Sequence, residues 1–282
     1  MHKLPRMGDL TPFAPWLDNW GLTPDGEPFQ TRYNMNWLMP VRRADTLAML
    51  KIAPSEHERR GAALMAWLAG DGAARVLALE GDALLLERLP AGRCLADMAR
   101  TGDDDEAMRI LCAVGDRLHA PRARGLPEGL IPLASWFRAL APAAAAHGGV
   151  LEVSLSAAAA LLADQREVCL LHGDLHHENV LDGGARGWLL IDPKGLLGER
   201  TYEYATTLCN PDKALALSPG RLVRQVGVIA QAARLDRQRL LRWTLAHAGV
   251  SAAWCMADGF DPTPALAIAE VARAELARVR AG

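Results

Sequence analysis

No apolar run in this 282-residue chain approaches the roughly 20 residues that span a bilayer. A membrane protein is therefore not expected. The Lys and Arg residues never gather into a basic stripe, and net charge is −2, so the electrostatic footprint of a nucleic-acid binder is missing. The opening MHKLPRMGDLTPF has no apolar h-region and does not read as a signal peptide. Cys94, Cys112, Cys169, Cys209 and Cys255 are odd in number and never spaced as CxxC. Each reads as a small buried hydrophobe, which fits a reducing cytoplasm. Nor is there an internal repeat. What remains is ordinary globular composition, 50% hydrophobic and 23% charged, with enough chain for one large domain or two modest ones.

The first 30 residues are rich in Pro, Gly and Trp and read as an irregular lead-in with one short helix near 15–20. Trp16 and Trp20 read as packing residues. Strands are expected over 34–41 and 47–52, with Lys51 on the otherwise apolar second one. An unpaired lysine is costly to bury, so Lys51 should meet a groove or a carboxylate. Ser55 can cap a helix running to about Ala69, with Glu58 in its first turns. Residues 75–79 and 83–89 form a strand pair around Glu80-Gly81-Asp82. The segment from Glu87 through Leu89 to Gly92 marks a change of composition, and the lobe boundary falls there: 1–88, then 89–282. Beyond it the chain reads helical over 107–119, 132–146, 154–166, 201–208, 219–233, 236–258 and 262–280. A small strand-rich half thus precedes a large helix-rich half, an α+β arrangement.

One stretch interrupts the helices, VCLLHGDLHHENVLDGGARGWLLIDPKG, from Val168 to Gly195. The runs 168–171 and 188–191 read as buried strands of a hairpin, each ending abruptly in polar residues. Gly173 allows a sharp turn, so Asp174 points out of a strand end. Asn179 follows five residues later, and Asp192 ends the second run. Either aspartate alone reads as a cap. Two carboxylates and an amide together suit Mg²⁺ and phosphoryl transfer, which needs oxygen ligands and a group to orient the attacking hydroxyl. His172-x3-His176 also has a helical metal-ligand spacing, which leaves a zinc hydrolase as another reading, although Gly173 argues against a helix there. His172 reads as a structural loop histidine; His176 either reaches a transferred phosphate or braces the loop.

His172-Gly173-Asp174-Leu175-His176-His177-Glu178-Asn179, followed by Ile191-Asp192-Pro193-Lys194-Gly195, resembles the aminoglycoside phosphotransferase family, and within it the streptomycin 6-kinase, or aminoglycoside/hydroxyurea resistance kinase, branch. The likeness continues at Leu197-Gly198-Glu199, Tyr202-Glu203, Asn210-Pro211 and Ser251-Ala252-Ala253-Trp254. It implies a two-lobed protein-kinase-like fold and transfer of the ATP γ-phosphate to a hydroxyl. By that resemblance Asp174 is the catalytic aspartate, and Asn179 and Asp192 are the Mg²⁺ ligands. Lys51 holds nucleotide phosphates, with Glu58 as its helix partner and Glu56 as a competitor. Glu87 to Leu89 is the linker whose backbone meets adenine, and Glu203 braces the catalytic loop.

The chain also departs from the protein-kinase pattern. Residues 33–40 contain no glycine, so a phosphate lid there would be a plain hairpin using Asn34 or Asn36. Pro193 follows the metal aspartate, which argues against a mobile switch, and no activation segment separates Gly195 from Tyr202. A small-molecule acceptor, expected to be cationic, fits better than a protein. Net charge is −1 over residues 1–88, −4 over 89–194 and +3 over 195–282, so no acidic cradle forms in the last part. Glu199, Trp254 and Asp258 are the candidate acceptor contacts. Streptomycin is the leading acceptor. Hydroxyurea, another hydroxylated metabolite, or a catalytically inactive nucleotide-binding module are the alternatives.

Overall fold

The computed structural model describes residues 10–31, 36–90 and 92–281. The chain divides into two compact units, one running through Gly92 and adding Asp182–Lys194, the other made of Arg93–Leu181 and the chain from Gly195 onward. A boundary at residues 88 and 89 therefore lacks one exchange: Asp182–Lys194 folds with the first unit.

In the first unit, α1 (Ala14–Trp20) leads into β1 (Leu22–Pro24), β2 (Phe29–Gln30), β3 (Trp37–Arg43) and β4 (Thr46–Ile52), then α2 (Glu56–Leu68), β5 (Val76–Glu80) and β6 (Ala83–Glu87). The strands form one antiparallel sheet in the order β1-β3-β4-β6-β5, with β2 also on β3. Strands β1 and β2 were not expected; two or three residues are too few to show alternation, and they form because β3 offers them an edge. Side chains alternate across β4. Ala48 and Leu50 turn to a core with Phe13, Leu22, Met39, Val41 and Leu85, against which Trp16 and Trp20 pack. Lys51 therefore emerges on the other face. Ser55 caps α2 as expected, its hydroxyl accepting the Glu58 N–H at 3.3 Å. Of the two lid candidates, Asn34 lies outside the described residues. Asn36 is buried just before β3, its N–H on the Thr31 hydroxyl at 3.0 Å.

The remaining elements are α3 (Leu95–Arg100), α4 (Asp104–His119), β7 (Ile131–Pro132), α5 (Leu133–Trp136), α6 (Leu140–His147), α7 (Val150–Ala163), β8 (Val168–Leu171), β9 (Val180–Asp182), β10 (Trp188–Leu190), β11 (Leu196–Glu199), α8 (Glu203–Leu208), α9 (Lys213–Ala216), α10 (Arg221–Ala232), α11 (Arg237–Ala257) and α12 (Thr263–Ala281). The expected hairpin of 168–171 with 188–191 does not form. Strand β8 pairs antiparallel with β11, which runs parallel to β7. Leu190 of β10 instead exchanges backbone hydrogen bonds with Gly72 and Ala74 of the first unit, at 2.9 and 3.0 Å. The second unit is organised on α11, which buries 13 of its 21 residues and packs on α7, α8 and α12. A helix buried nearly all round is a central one. Phe137, Tyr202, Trp243 and Val250 belong to the core around it. No helix among the described residues is long and apolar enough to cross a membrane.

Candidate active site

The candidate residues fall into two groups, one in each unit. In the second unit, β8 ends at Leu171 and the chain turns through His172 and Gly173, whose φ of 81° is one that glycine adopts readily. The backbone N–H groups of His172 and Gly173 at this turn donate to the Glu203 carboxylate at 2.7 and 3.0 Å. Glu203 is fully buried at the start of α8, and His119 Nε2 lies 3.2 Å from it. Burial opposes its charge, but His119 and the Gly173 N–H outweigh that and hold the carboxyl below its ordinary range. The bracing geometry expected of Glu203 is thus present.

Past this clamp the Asp174 side chain is about one-third exposed, at 32%. Its own N–H donates to His172 Nδ1 at 3.2 Å. The Asn179 amide nitrogen donates to the Asp174 carbonyl at 2.9 Å and to Asp174 Oδ2 at 3.3 Å. Spending the nitrogen on Asp174 leaves Asn179 Oδ1 as the side-chain atom that could hold a cation. His176 Nδ1 accepts the Glu178 N–H at 3.2 Å, and its Nε2 stands 3.8 Å from Asp174 Oδ1. His176 therefore braces the loop. Leu175 is buried, and the Thr207 hydroxyl donates to its carbonyl at 2.7 Å. Asp174 is a partly exposed carboxylate on a loop fixed at every turn.

In the first unit, Lys51 Nζ lies 2.5 Å from Glu58 Oε2 and donates to Asp192 Oδ1. Glu56 is exposed and pairs with Arg60 one turn on, which settles which acid faces the lysine. Lys194, to which the sequence reading gave no role, lies 3.1 Å from Glu58 Oε1 and 3.4 Å from Asp192 Oδ2. Asp192 takes a left-handed φ of 56°. Carboxylate and amide oxygens are hard donors, so the Asp192 and Asn179 side chains suit Mg²⁺ in kind. Glu87 has its N–H on the Arg75 carbonyl at 2.9 Å, and its carboxylate accepts from the Arg75 N–H at 2.7 Å and from Arg186. Its side chain is structural. The half-buried Leu89 lies two residues past the end of β6.

The acceptor candidates fare unequally. Glu199 is corrected: it is fully buried on β11, and the Arg239 guanidinium forks onto both its oxygens at 2.6 Å. Burial works against its charge, but Arg239 prevails and keeps the carboxyl below its usual range. It faces no solvent and cannot meet an acceptor. Trp254 is half-buried, its ring 5.0 Å from Trp136 and 6.3 Å from His247. Asp258 is exposed at the C-cap of α11.

A network behind Trp254 escaped the sequence reading. Trp136 Nε1–H donates to the Tyr202 hydroxyl at 3.0 Å, and that hydroxyl lies 3.0 Å from His247 Nδ1. In the tautomer that carries its proton on Nε2, His247 Nδ1 accepts the hydroxyl proton; in the other, Nδ1–H donates to the hydroxyl oxygen. Burial pulls the imidazole down to about 4, while the charge of Asp174 pulls the other way. Tyr202 feels the same charge, though burial is the largest influence on it. No spacing signals this set, because His247 sits within a buried alanine-rich helix.

A sequence model described as aminoglycoside/hydroxyurea antibiotic resistance kinase matches residues 19–259. Streptomycin 3''-kinase of Klebsiella pneumoniae is 49% identical over 248 residues, covering 86% of this chain and 92% of the relative. Streptomycin 6-kinase of Streptomyces griseus is 34% identical over 274 residues, covering 92% and 86%. Among solved structures, a thermostable mutant of aminoglycoside phosphotransferase APH(4)-Ia in ternary complex with ADP and hygromycin B superposes with a TM-score of 0.67 at 13% identity, covering 92% of this chain and 97% of that one. The fold is the two-lobed protein-kinase-like one, with an antiparallel sheet in the first part and helices in the second.

Proposed function

The chain belongs to the aminoglycoside/hydroxyurea antibiotic resistance kinase family, and on that footing we propose that it transfers the γ-phosphate of ATP to a hydroxyl of streptomycin. The 3''-hydroxyl is the position named for the relative at 49% identity. Two prepared groups, one within each unit, support the reading. One is a part-exposed Asp174 on a loop clamped by Glu203. The other is Lys51, held between Glu58 and Asp192.

Each residue takes a role from its surroundings. Asp174, oriented by the Asn179 amide, accepts the hydrogen bond of the acceptor hydroxyl and takes its proton as the oxygen attacks phosphorus. The new bond joins that oxygen to the γ-phosphorus; the bond from phosphorus to the bridging oxygen breaks, and ADP leaves. Lys51 turns its ammonium to the nucleotide phosphates, with Glu58 setting its direction. Asn179 and Asp192 supply oxygen ligands for Mg²⁺, which when bound neutralises charge on the phosphate oxygens. The backbone from Glu87 to Leu89 is assigned to adenine. Trp254 and Asp258 are assigned to the acceptor, whose guanidinium groups suit an aromatic face and an exposed carboxylate. ATP as donor places the reaction in the cytoplasm, a setting suited to five free cysteines.

The family description also names hydroxyurea, which makes it the second reading. Incubation with Mg·ATP across streptomycin, other aminoglycosides and hydroxyurea, with products read by mass spectrometry, separates the two. A monophosphorylated streptomycin is expected. Transfer to hydroxyurea alone would replace the first reading with the second, and transfer to none would contradict both.

A further inference from the structure

His247, Ser251, Trp254 and Asp258 follow one another along α11 at separations of four, three and four residues, so their side chains share one face of the helix. This stripe climbs out of the core. His247 is 6% exposed, Ser251 and Trp254 are half-buried, and Asp258, at the C-cap, is exposed. A stripe that served packing alone would be apolar along its length. This one sets an imidazole, a hydroxyl and a carboxylate around a single indole. Ser251 keeps the stripe low between the rings of His247 and Trp254, whose centres lie 6.3 Å apart.

The inner end of the stripe is tied to the Asp174 loop. Tyr202 and Glu203 are consecutive residues. Glu203 holds the His172 and Gly173 N–H groups, and the Tyr202 hydroxyl lies 3.0 Å from His247 Nδ1. Trp136 joins from α5, its Nε1–H on the same hydroxyl at 3.0 Å and its ring 5.0 Å from that of Trp254. With Nδ1 engaged by Tyr202, Nε2 is the ring nitrogen to which no described residue hydrogen-bonds. Burial is the main cause that pulls the imidazole down to about 4, and the charge of Asp174 reaches it from the other direction. The ring is therefore neutral at pH 7 and does not repel a cation.

We propose that this stripe of α11, with Trp136 beside it, is the face that recognises the acceptor, and that His247 is a specificity-determining residue whose Nε2 meets an acceptor hydroxyl next to the one that reacts. This rests on the streptomycin reading above and adds His247, Ser251 and Trp136 to its acceptor site. A neutral imidazole nitrogen gives or takes a hydrogen bond according to its tautomer, and a sugar hydroxyl answers either. The eleven residues from His247 to Asp258 cover about 16 Å along the helix at about 1.5 Å per residue. An extended molecule of several rings spans that length. Its hydroxyls lie at the buried end, and its cationic groups lie against the Trp254 and Trp136 rings and on Asp258. A molecule as small as hydroxyurea meets one of these residues at most. Ser251 sits where the middle of the longer molecule passes, and a bulky side chain there would take its place.

The test measures binding of streptomycin by calorimetry, with no turnover, in the unsubstituted chain, His247→Asn, His247→Gln and Ser251→Leu, beside binding of Mg·AMP-PNP to the same samples. Asparagine reaches as far as Nδ1 and keeps a partner for Tyr202, whereas glutamine reaches the place of Nε2. His247→Asn is expected to weaken streptomycin binding about tenfold. His247→Gln should keep it within about threefold. Ser251→Leu should weaken it more than about tenfold by filling the stripe. Mg·AMP-PNP binding should not move in any of them. Circular dichroism melts show which variants are folded, and Ser251→Leu, at a half-buried position, carries the test where His247→Asn does not fold. Streptomycin binding left within twofold in the folded His247→Asn and Ser251→Leu proteins, or an equal loss of Mg·AMP-PNP binding, would overturn the assignment alone. Failure of the unsubstituted chain to bind streptomycin would overturn the streptomycin reading and the assignment with it.

Discussion

The Glu203 carboxylate gathers the backbone N–H groups of His172 and Gly173, at 2.7 and 3.0 Å, and so determines where the chain leaves β8 for Asp174. Glu203→Gln keeps the shape but loses the charge, and presents one acceptor oxygen where two were in use. Charge-assisted hydrogen bonds of this kind contribute about 1.5–3 kcal/mol. A loss of about 2 kcal/mol in urea unfolding is expected, with kcat reduced about tenfold and KM for ATP nearly unchanged. An unaltered kcat would show that the clamp has no bearing on Asp174.

Gly61→Ala reverses a general rule. In a helix interior, alanine is ordinarily more stabilising than glycine by about 0.5–1 kcal/mol. Here the new methyl would stand 2.1 Å from the Pro193 carbonyl oxygen, a backbone atom with little freedom to retreat. Destabilisation of about 1–3 kcal/mol is expected from the overpacking, read by urea denaturation, together with weaker binding of Mg·ATP. A more stable Gly61→Ala protein would refute the close packing of α2 on this loop.

Two histidines give stability a pH dependence. Burial is the main cause of both shifts, lowering His177 from 6.5 to about 3 and His247 from 6.5 to about 4. A lowered pKa on a base means that the folded state resists a proton that the unfolded state accepts. The contribution is therefore complete above about pH 6.5 and falls away as pH drops toward 4. At pH 5 each histidine should have lost about 2 kcal/mol relative to pH 7.5. Urea titrations at the two pH values check the sum, and His247→Gln should remove its share.

Glu199 and Asp258 should separate cleanly. Glu199→Gln leaves the buried Arg239 guanidinium with the exposed Asp164 carboxylate as its charge partner, at a cost of about 3 kcal/mol in stability. KM for streptomycin should stay constant in whatever fraction folds. Asp258→Asn changes an exposed carboxylate and should leave the melting temperature alone while raising KM for streptomycin severalfold. Equal effects of the two substitutions on KM would contradict the burial of Glu199.

What could be read from the sequence follows from how local each signal is. Ser55 announces α2, because a cap bonds within its own turn. Asp174 and Asn179 lie five residues apart, and their contact is local too. Lys51 stands out as a lone charge on an apolar strand. Long-range facts were hidden. The strand beside β8 is β11, about 25 residues onward, not the nearer β10, because pairing depends on which edge is open rather than on proximity in the chain. Glu199 looked like a free acid beside the metal loop; its partner Arg239 lies 40 residues away. Lys194 was visible as a letter, but its two carboxylates are 136 and two residues distant, and only folding shows that it faces both.

Asp174→Asn is the most direct test of the division of labour between the two groups. Single-turnover transfer from Mg·ATP to streptomycin is measured by rapid quench, beside calorimetric binding of Mg·AMP-PNP. Loss of the proton acceptor should slow transfer by about 10²–10⁴-fold. Nucleotide affinity should remain within about threefold, since Lys51 and Glu58 are untouched. Transfer at the unsubstituted rate, or loss of nucleotide binding along with transfer, would contradict the assignment of Asp174 to the acceptor hydroxyl.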